Sequence, residues 1–504
     1  MESAAVEPGG AAAVEPGDAG GNRAATAAPV VRVAGAAALI AALTVLARVA
    51  GFARTTVFSY TVGDHGLADI YYAANTIPNI VFELVAGGAL ASLIVPLLAQ
   101  HVAAGDRDRV NAVTSALLTW VLSLTVPFAI VIALAAGPIA GLLHRVPPGE
   151  QDLAASMLRV FAPQLPLYGV GIVLTGVLQA HHRFAWPVIA PLLSSLTVLS
   201  SYLTYAAIDG ARSGFDHLTE AGQYTLSVGT TLGVVVLALC LLIPLSRLHL
   251  RLRPSYRFPG EEGRQAVRLG WAGAVTVGAQ QLVILLIVGL GTRVLAQYNY
   301  AQTMFLLPWA VLAVPLATAV YPRLSDAAAR RDEPAYAEHL AGTTRSIMLL
   351  ACLGGGALAA LAGPAARLIG SAGSAPGIVA FAPGLIGWSL FAILSRALYA
   401  RGATIAAAIA SAAGWAVAGL VVIVISATTD GSAQLAGLGA ANAAGMSVIG
   451  ILLVYAVRRK AGPDALAGLA RVTVVGIVAA AVAALAGWAT VAGVGHLIGP
   501  TPTV

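Results

Sequence analysis

Charge is what this sequence has least of. Only 10% of its 504 residues are Asp, Glu, Lys or Arg, against 58% hydrophobic residues and a mean hydropathy of +0.85. A soluble chain of this length carries roughly a quarter charged residues and splits into two or three domains. The shortage excludes an ordinary cytosolic enzyme and points to lipid as the solvent. Cysteine is nearly absent too. Cys240 and Cys352 both sit inside apolar runs, which excludes a disulfide framework or zinc cluster and leaves the redox compartment undetermined. Clustered positive charge is also missing: a net charge of +6 would suit nucleic acid only if the basic residues shared one water-facing surface, and they are scattered between apolar runs. No segment outside those runs is long enough to bury a core, so no soluble catalytic domain is expected. The spans hold no metal-spaced His/Glu pair, phosphate loop or activated nucleophile; neither covalent catalysis nor a bound metal or cofactor is expected.

Residues 1–29 are rich in Ala, Gly, Pro and Glu and repeat Ala4-Ala5-Val6-Glu7-Pro8-Gly9 as Ala12-Ala13-Val14-Glu15-Pro16-Gly17, which reads as a disordered tail. Its first charges are Glu2, Glu7 and Glu15 rather than the basic start of a secretory signal, so the first hydrophobic helix is expected to be retained. A bilayer core takes about 20 apolar residues per helix. On that ruler the chain divides into thirteen spans, near 34–59, 67–100, 110–137, 154–180, 184–208, 224–246, 266–291, 295–321, 340–362, 376–399, 403–427, 433–457 and 470–497. With a cytoplasmic N-terminus, 21 of the 28 basic residues fall in inside segments and 4 outside, while Arg48, Arg54 and Arg159 lie in or at the edge of spans. The positive-inside rule therefore sets the N-terminus in the cytoplasm and the C-terminus outside.

The pattern L-A-[S/T]-x-x-x-P-x-L occurs at 90–98 in the second span and at 316–324 in the eighth, an offset of 226 residues and six spans. An even number of intervening spans makes the repeat parallel, with the halves related by an axis along the membrane normal; the alternative is chance in an Ala- and Leu-rich chain. The expectation is an all-α, polytopic membrane protein. Two six-helix lobes, residues 30–246 and 266–460, flank a central cavity and are joined by a basic cytoplasmic linker at 247–265; residues 461–504 add one further helix and a short outer tail.

Nearly all the deep ionisable residues, Arg48, Arg54, Asp69 and Glu83, belong to the first two spans. A charge at the bilayer centre costs about 2.5–3.5 kcal/mol on insertion scales, so such groups face a cavity or a partner. A guanidinium offers paired donors that suit phosphate oxygens and stays charged within a membrane, so an anionic cargo is inferred. Six residues separate the two arginines, about 240° in helical projection, so they need not share a face. Arg48 is assigned to the cavity; Arg54 joins it, pairs with Asp69 or Glu83, or snorkels to the outer interface. Asp69 either takes up a proton or cation or closes the hairpin. Pro78 and the pair Gly87 and Gly88 interrupt the second span, where a missing donor and small side chains permit bending, and with Gly51 they are the candidate gate. Asn79 adjoins Pro78 and, with Arg48, Arg54, Asp69, Glu83, Gln302 and Thr303, belongs to the candidate substrate-binding set. Gln302 and Thr303, with Gln280, Gln281 and Asn299, either line the opposite wall or make interhelical hydrogen bonds.

The string Ala47-Arg48-Val49-Ala50-Gly51-Phe52-Ala53-Arg54, followed by Ala68-Asp69-Ile70-Tyr71-Tyr72-Ala73-Ala74-Asn75 and Ile77-Pro78-Asn79, resembles the MurJ (MviN) group of lipid II flippases, whose superfamily also holds MATE exporters and polysaccharide flippases. Further matches are Leu178-Gln179-Ala180-His181-His182-Arg183-Phe184-Ala185-Trp186-Pro187 and Tyr321-Pro322-Arg323-Leu324-Ser325, so the resemblance covers about residues 34–460. It implies a V-shaped two-lobed protein of the bacterial cytoplasmic membrane, in contact with membrane lipids and not nucleic acid. Its cargo would be the undecaprenyl-pyrophosphate-linked peptidoglycan precursor, lipid II, carried to the outer leaflet by alternating access. The resemblance also implies coupling to membrane potential or a monovalent cation, and functional roles for the positions of Arg48, Arg54 and Asp69. Phe82, Gly87 and Thr303 stand where relatives carry charge, and one span follows residue 460 where relatives commonly have two. These departures keep two alternatives open: a non-transporting scaffold for cell-wall synthesis or division proteins, and a MATE-like exporter.

Overall fold

The computed structural model describes residues 42–84, 94–143, 147–215, 217–258 and 277–498. Helices account for almost all of the regular structure, and no strand occurs among the described residues. In chain order they are α1 (42–61), α2 (Leu67–Phe82), α3 (Ile94–Ala103), α4 (Arg107–Leu134), α5 (Ala136–Gly141), α6 (Pro148–Phe161), α7 (Gln164–Ala180), α8 (Ala185–Asp209), α9 (Glu220–Leu239) and α10 (Leu242–Ser246). Then follow α11 (Val277–Leu290), α12 (Leu295–Pro308), α13 (Val314–Arg330), α14 (Glu333–Ala360), α15 (Ala362–Leu368), α16 (Ala375–Phe381), α17 (Gly384–Ala400), α18 (Thr404–Thr428), α19 (Gly431–Ala461) and α20 (Leu469–Ile498).

Among the described residues nine helices or helix runs are long and apolar enough to cross a membrane, or ten if the pair α16–α17, bent by 53°, is one span. The other three expected spans coincide with α1, with α2 and α3, and with α11, each adjoining residues outside the described set. The chain is a multi-pass membrane protein. Two expected spans are broken at a proline: Pro163 separates α6 from α7, and Pro383 separates α16 from α17, each removing a backbone donor.

Lipid gives helices no hydrophobic drive to associate, so close packing falls to small residues. A Cβ built on Gly387 of α17 would lie 2.1 Å from the Met446 carbonyl oxygen of α19, and one on Gly384 would lie 2.9 Å from the Ala443 Cα. Only glycine permits that approach. The last helix, α20, lies against α14, with Gly356 beside the Ala480 backbone, and turns Val474, Val478, Val482, Leu485 and Trp488 outward as a lipid-facing stripe.

Two apolar cores reveal how the halves are joined. One runs from Phe58, Tyr71, Phe161 and Tyr202 in the first half to Tyr300, Phe381 and Leu435 in the second. The other, around Ile94, Leu117, Val173 and Leu241, belongs to the first half alone. The halves therefore share a core at one end of the bundle, called here the closed end, where the segments 61–66, 209–215, 291–296 and 367–371 meet. At the opposite end, part of the expected linker runs extended along α4. Its backbone N–H groups at Arg251, Arg253 and Ser255 donate to Asn111 Oδ1, Ser115 Oγ and Thr119 Oγ1, at 3.1, 3.1 and 3.0 Å. The four-residue spacing on a helix matches the two-residue spacing of an extended strand, since 6.0 Å of helical rise is close to two strand residues.

Candidate functional site: a central cavity in three chambers

The first chamber, about 620 Å³, is walled by α1, α7, α8 and α12. Thr44, Arg48, Gly51 and Arg54 line it from α1, Pro191, Ser194 and Ser195 from α8, and Thr303 from α12. Arg48 and Arg54 thus face one space: the 240° between them is equally a 120° sector, which a wide chamber covers. A second chamber of about 210 Å³ continues from Arg54 between Tyr72, Asn75, Tyr168, Tyr202 and Asn299. A third, about 380 Å³, lies against the other half and is lined by Asn79, Glu83, Gln281, Gln302, Trp309 and Trp388, among others. Gln302 and Thr303 are adjacent on α12 and open onto different chambers, Thr303 onto the first two and Gln302 onto the third.

Neither carboxylate expected beside Arg54 pairs with it. Asp69, 4% exposed, accepts the Ala296 N–H at 2.8 Å on Oδ1 and the Gly66 N–H at 3.0 Å on Oδ2. The first bond tethers the start of α12 to α2, and the second caps α2, where Gly66 has φ +58°. This corrects the expectation that Asp69 contacts cargo: its oxygens are spent on backbone donors at the closed end, and it lines none of the three chambers. Glu83 is exposed and lies in the third chamber, away from the arginines. No carboxylate lines the first two chambers among the described residues, and neither arginine has an ion pair there.

The candidate gate residues divide. Helix α1 runs unbroken through Gly51, where a Cβ would meet nothing within 4 Å, and α2 runs through Pro78 to Phe82. Gly87 and Gly88 lie outside the described residues. Asn79 donates to the Asn75 carbonyl at 3.0 Å and borders both the second and third chambers.

Several wall residues went unread in the sequence. Tyr168 of α7 lines the first two chambers and packs behind on Phe82, with ring centroids 4.7 Å apart. Pro191, Ser194, Val198 and Tyr202 form a stripe on α8 at helical spacing. That small and polar stripe within an apolar span was the available signal. The indoles of Trp309, Trp388 and Trp415 had none, because each sits in a run that is apolar all round.

At the closed end, Tyr300 donates its hydroxyl to the Gly63 carbonyl at 2.6 Å and Ser371 donates to Asp64 at 2.7 Å. Tyr60 donates to the Arg367 carbonyl at 3.2 Å. Arg212, at φ +57°, reaches the Ser59 and Gly370 carbonyls from the two halves. With the Asp69 bridge these contacts seal one side of the cavity.

Comparison with known proteins accords with this geometry. A lipid II flippase MurJ from Burkholderia cenocepacia is 28% identical over 330 residues, covering 62% of this chain and 61% of that protein. A Rhizobium tropici protein described as a probable lipid II flippase MurJ is 29% identical over 291 residues, 55% of this chain and 52% of its own length. The chain thus spans less than two thirds of these curated relatives. A solved lipid II flippase MurJ in an inward closed conformation superposes with a TM-score of 0.68 at 16% identity, over 90% of this chain and 98% of that one. An inward-facing MATE family multidrug transporter of the MOP superfamily gives 0.66 at 14% identity, over 85% and 98%. At such identities the structures establish the fold. The family model for lipid II flippase MurJ matches residues 58–496, most of the sequence. The chain belongs to the lipid II flippase MurJ family, a family of transporters rather than enzymes.

Proposed function

We propose that the protein moves a polyprenyl-pyrophosphate-linked peptidoglycan precursor, lipid II, from the inner to the outer leaflet of a bacterial cytoplasmic membrane. The carrying observation is that Arg48 and Arg54 share one chamber wall with no carboxylate lining it among the described residues. A pyrophosphate supplies the oxygens that two guanidinium forks are shaped to receive. A cationic drug has no counter-charge among the described residues of that wall, which sets this reading ahead of a MATE-like exporter.

The distribution of basic residues favours an N-terminus inside and a C-terminus outside. The sealed end then faces outward, and the cavity takes cargo from the inner leaflet. Release to the outer leaflet requires the closed-end bonds to break while the opposite end shuts, which is alternating access. Under an inside-negative potential each negative charge moved outward gains about 2.3 kcal/mol per 100 mV, so the potential assists an anionic headgroup without a bound cofactor.

The test is reconstitution into liposomes under an imposed potential, with lipid II in the inner-facing leaflet. Wild type is expected to move it, and the double variant Arg48→Ala/Arg54→Ala to lose both movement and lipid II retention. A double variant that still transports overturns the role of this wall. A wild type that neither binds nor moves lipid II removes the flippase reading and favours a scaffold.

A further inference from the structure

The third chamber differs chemically from the arginine wall. Pro308 and Pro315 bracket a π-helical turn at Trp309–Ala313, where their missing N–H groups interrupt the α-helical ladder between α12 and α13. That turn presents Trp309 to Trp388 of α17, with ring centroids 5.5 Å apart. Trp388 stacks on Phe391 on one side, at 5.2 Å and 14°, and meets Trp415 of α18 edge-on at 6.3 Å. The result is an indole wall rather than an apolar plug, because the indole N–H groups of Trp309 and Trp388 are buried without a partner.

The facing groups are amides. Gln281 is 5% exposed, lines the chamber and makes no hydrogen bond among the described residues. The Oδ1 of Asn442 is likewise buried and unpartnered. Buried polar atoms are normally paired, and each left unpaired carries a desolvation penalty, so a cluster of them calls for an explanation. The volume, about 380 Å³, falls in the range of small-molecule sites, about 300–1,000 Å³. Among the described residues Glu83 supplies the only charge on the lining.

We propose that this chamber is a binding site for an N-acetylated sugar. Indole faces cover the C–H face of a pyranose ring, while a side-chain amide offers a donor and an acceptor together, as an acetamido group and ring hydroxyls require. A charged ligand of either sign fits less well, since the described lining has no cation and one carboxylate. Placement agrees: Thr303 and Gln302 open onto the phosphate wall and this chamber from neighbouring positions, so one headgroup can span both. The inference rests on the flippase reading for the identity of the cargo, but its geometry stands apart from the arginines.

The test uses the purified full-length protein in nanodiscs and three probes: N,N′-diacetylchitobiose, inorganic pyrophosphate and lipid II, each titrated by calorimetry. The disaccharide is expected to bind saturably. Gln281→Leu and Trp388→Phe are expected to weaken it about tenfold or more while pyrophosphate binding persists; Arg48→Ala/Arg54→Ala reverses that pattern. Gln281→Leu replaces an unpartnered buried amide by an apolar group of similar size, so it tests the site without endangering the fold. If the disaccharide does not bind while lipid II and pyrophosphate do, or if both variants bind it like wild type, the sugar site is overturned and the flippase reading stands. If the disaccharide binds at the indole wall and lipid II does not bind at all, the chamber survives and the cargo assignment falls.

Discussion

At the closed end, Asp69 spends both oxygens on backbone N–H groups, Tyr300 gives its hydroxyl to Gly63, and Ser371 gives its own to Asp64. In the chambers, Arg48, Arg54, Gln281 and the Trp309 indole nitrogen have no such partners among the described residues. Both regions are polar groups held inside an apolar bundle, where an unmet donor or charge is expensive. The difference separates their tasks. Polar groups that answer one another fix a conformation, and those that face a shared space with nothing opposite are arranged for a visitor.

Breaking the closed end should show this most strongly in stability. Asp69→Ala leaves the Ala296 and Gly66 N–H groups without their acceptor, and the loss of two buried hydrogen bonds is expected to cost about 2–4 kcal/mol. Thermal unfolding of the detergent-solubilised protein should register it as a clear fall in Tm. An unchanged Tm would mean that the carboxylate is not the tie between α2 and α12.

Tyr300→Phe is a milder cut. It removes one hydroxyl and leaves the Gly63 carbonyl unpaired, at a cost of about 1 kcal/mol. Because this bond exists only while the closed end is sealed, the cost should appear mainly as a shift of population toward an opened end. Thiol labelling of a cysteine placed at Val62, buried in the closed end, should speed up in a Tyr300→Phe background; equal labelling in both backgrounds contradicts the latch.

The sequence makes one side of this comparison far more legible than the other. Span lengths are imposed by bilayer thickness, so thirteen apolar runs map onto helices or helix pieces with few surprises. Arg48 and Arg54 were conspicuous because charge is rare, and facing a cavity is what makes charge tolerable there. Asp69 was equally conspicuous, but the sequence left it open between contact with cargo, uptake of a proton or cation, and closing the hairpin. Its partner is a backbone N–H 227 positions away, and a backbone donor leaves no trace in residue identity. The indole wall was hidden for another reason: α17 and α18 are apolar on every face, so periodicity cannot tell the side that meets lipid from the side that meets the chamber.

The smallest expected change in stability is the sharpest test of the contrast. Arg54→Gln keeps much of the side-chain length and its hydrogen-bonding capacity while removing a charge that no carboxylate balances. Folding stability should therefore stay within about 0.5 kcal/mol of wild type, or rise slightly, since no native pairing is lost. Lipid II retention should nevertheless fall about tenfold or more, because a neutral amide cannot replace the guanidinium fork on a pyrophosphate. Denaturation and native mass spectrometry on the same preparation measure both quantities. A large loss of stability would place Arg54 among the structural groups with Asp69, and the division between a self-satisfied end and an unsatisfied cavity would have to be redrawn around it.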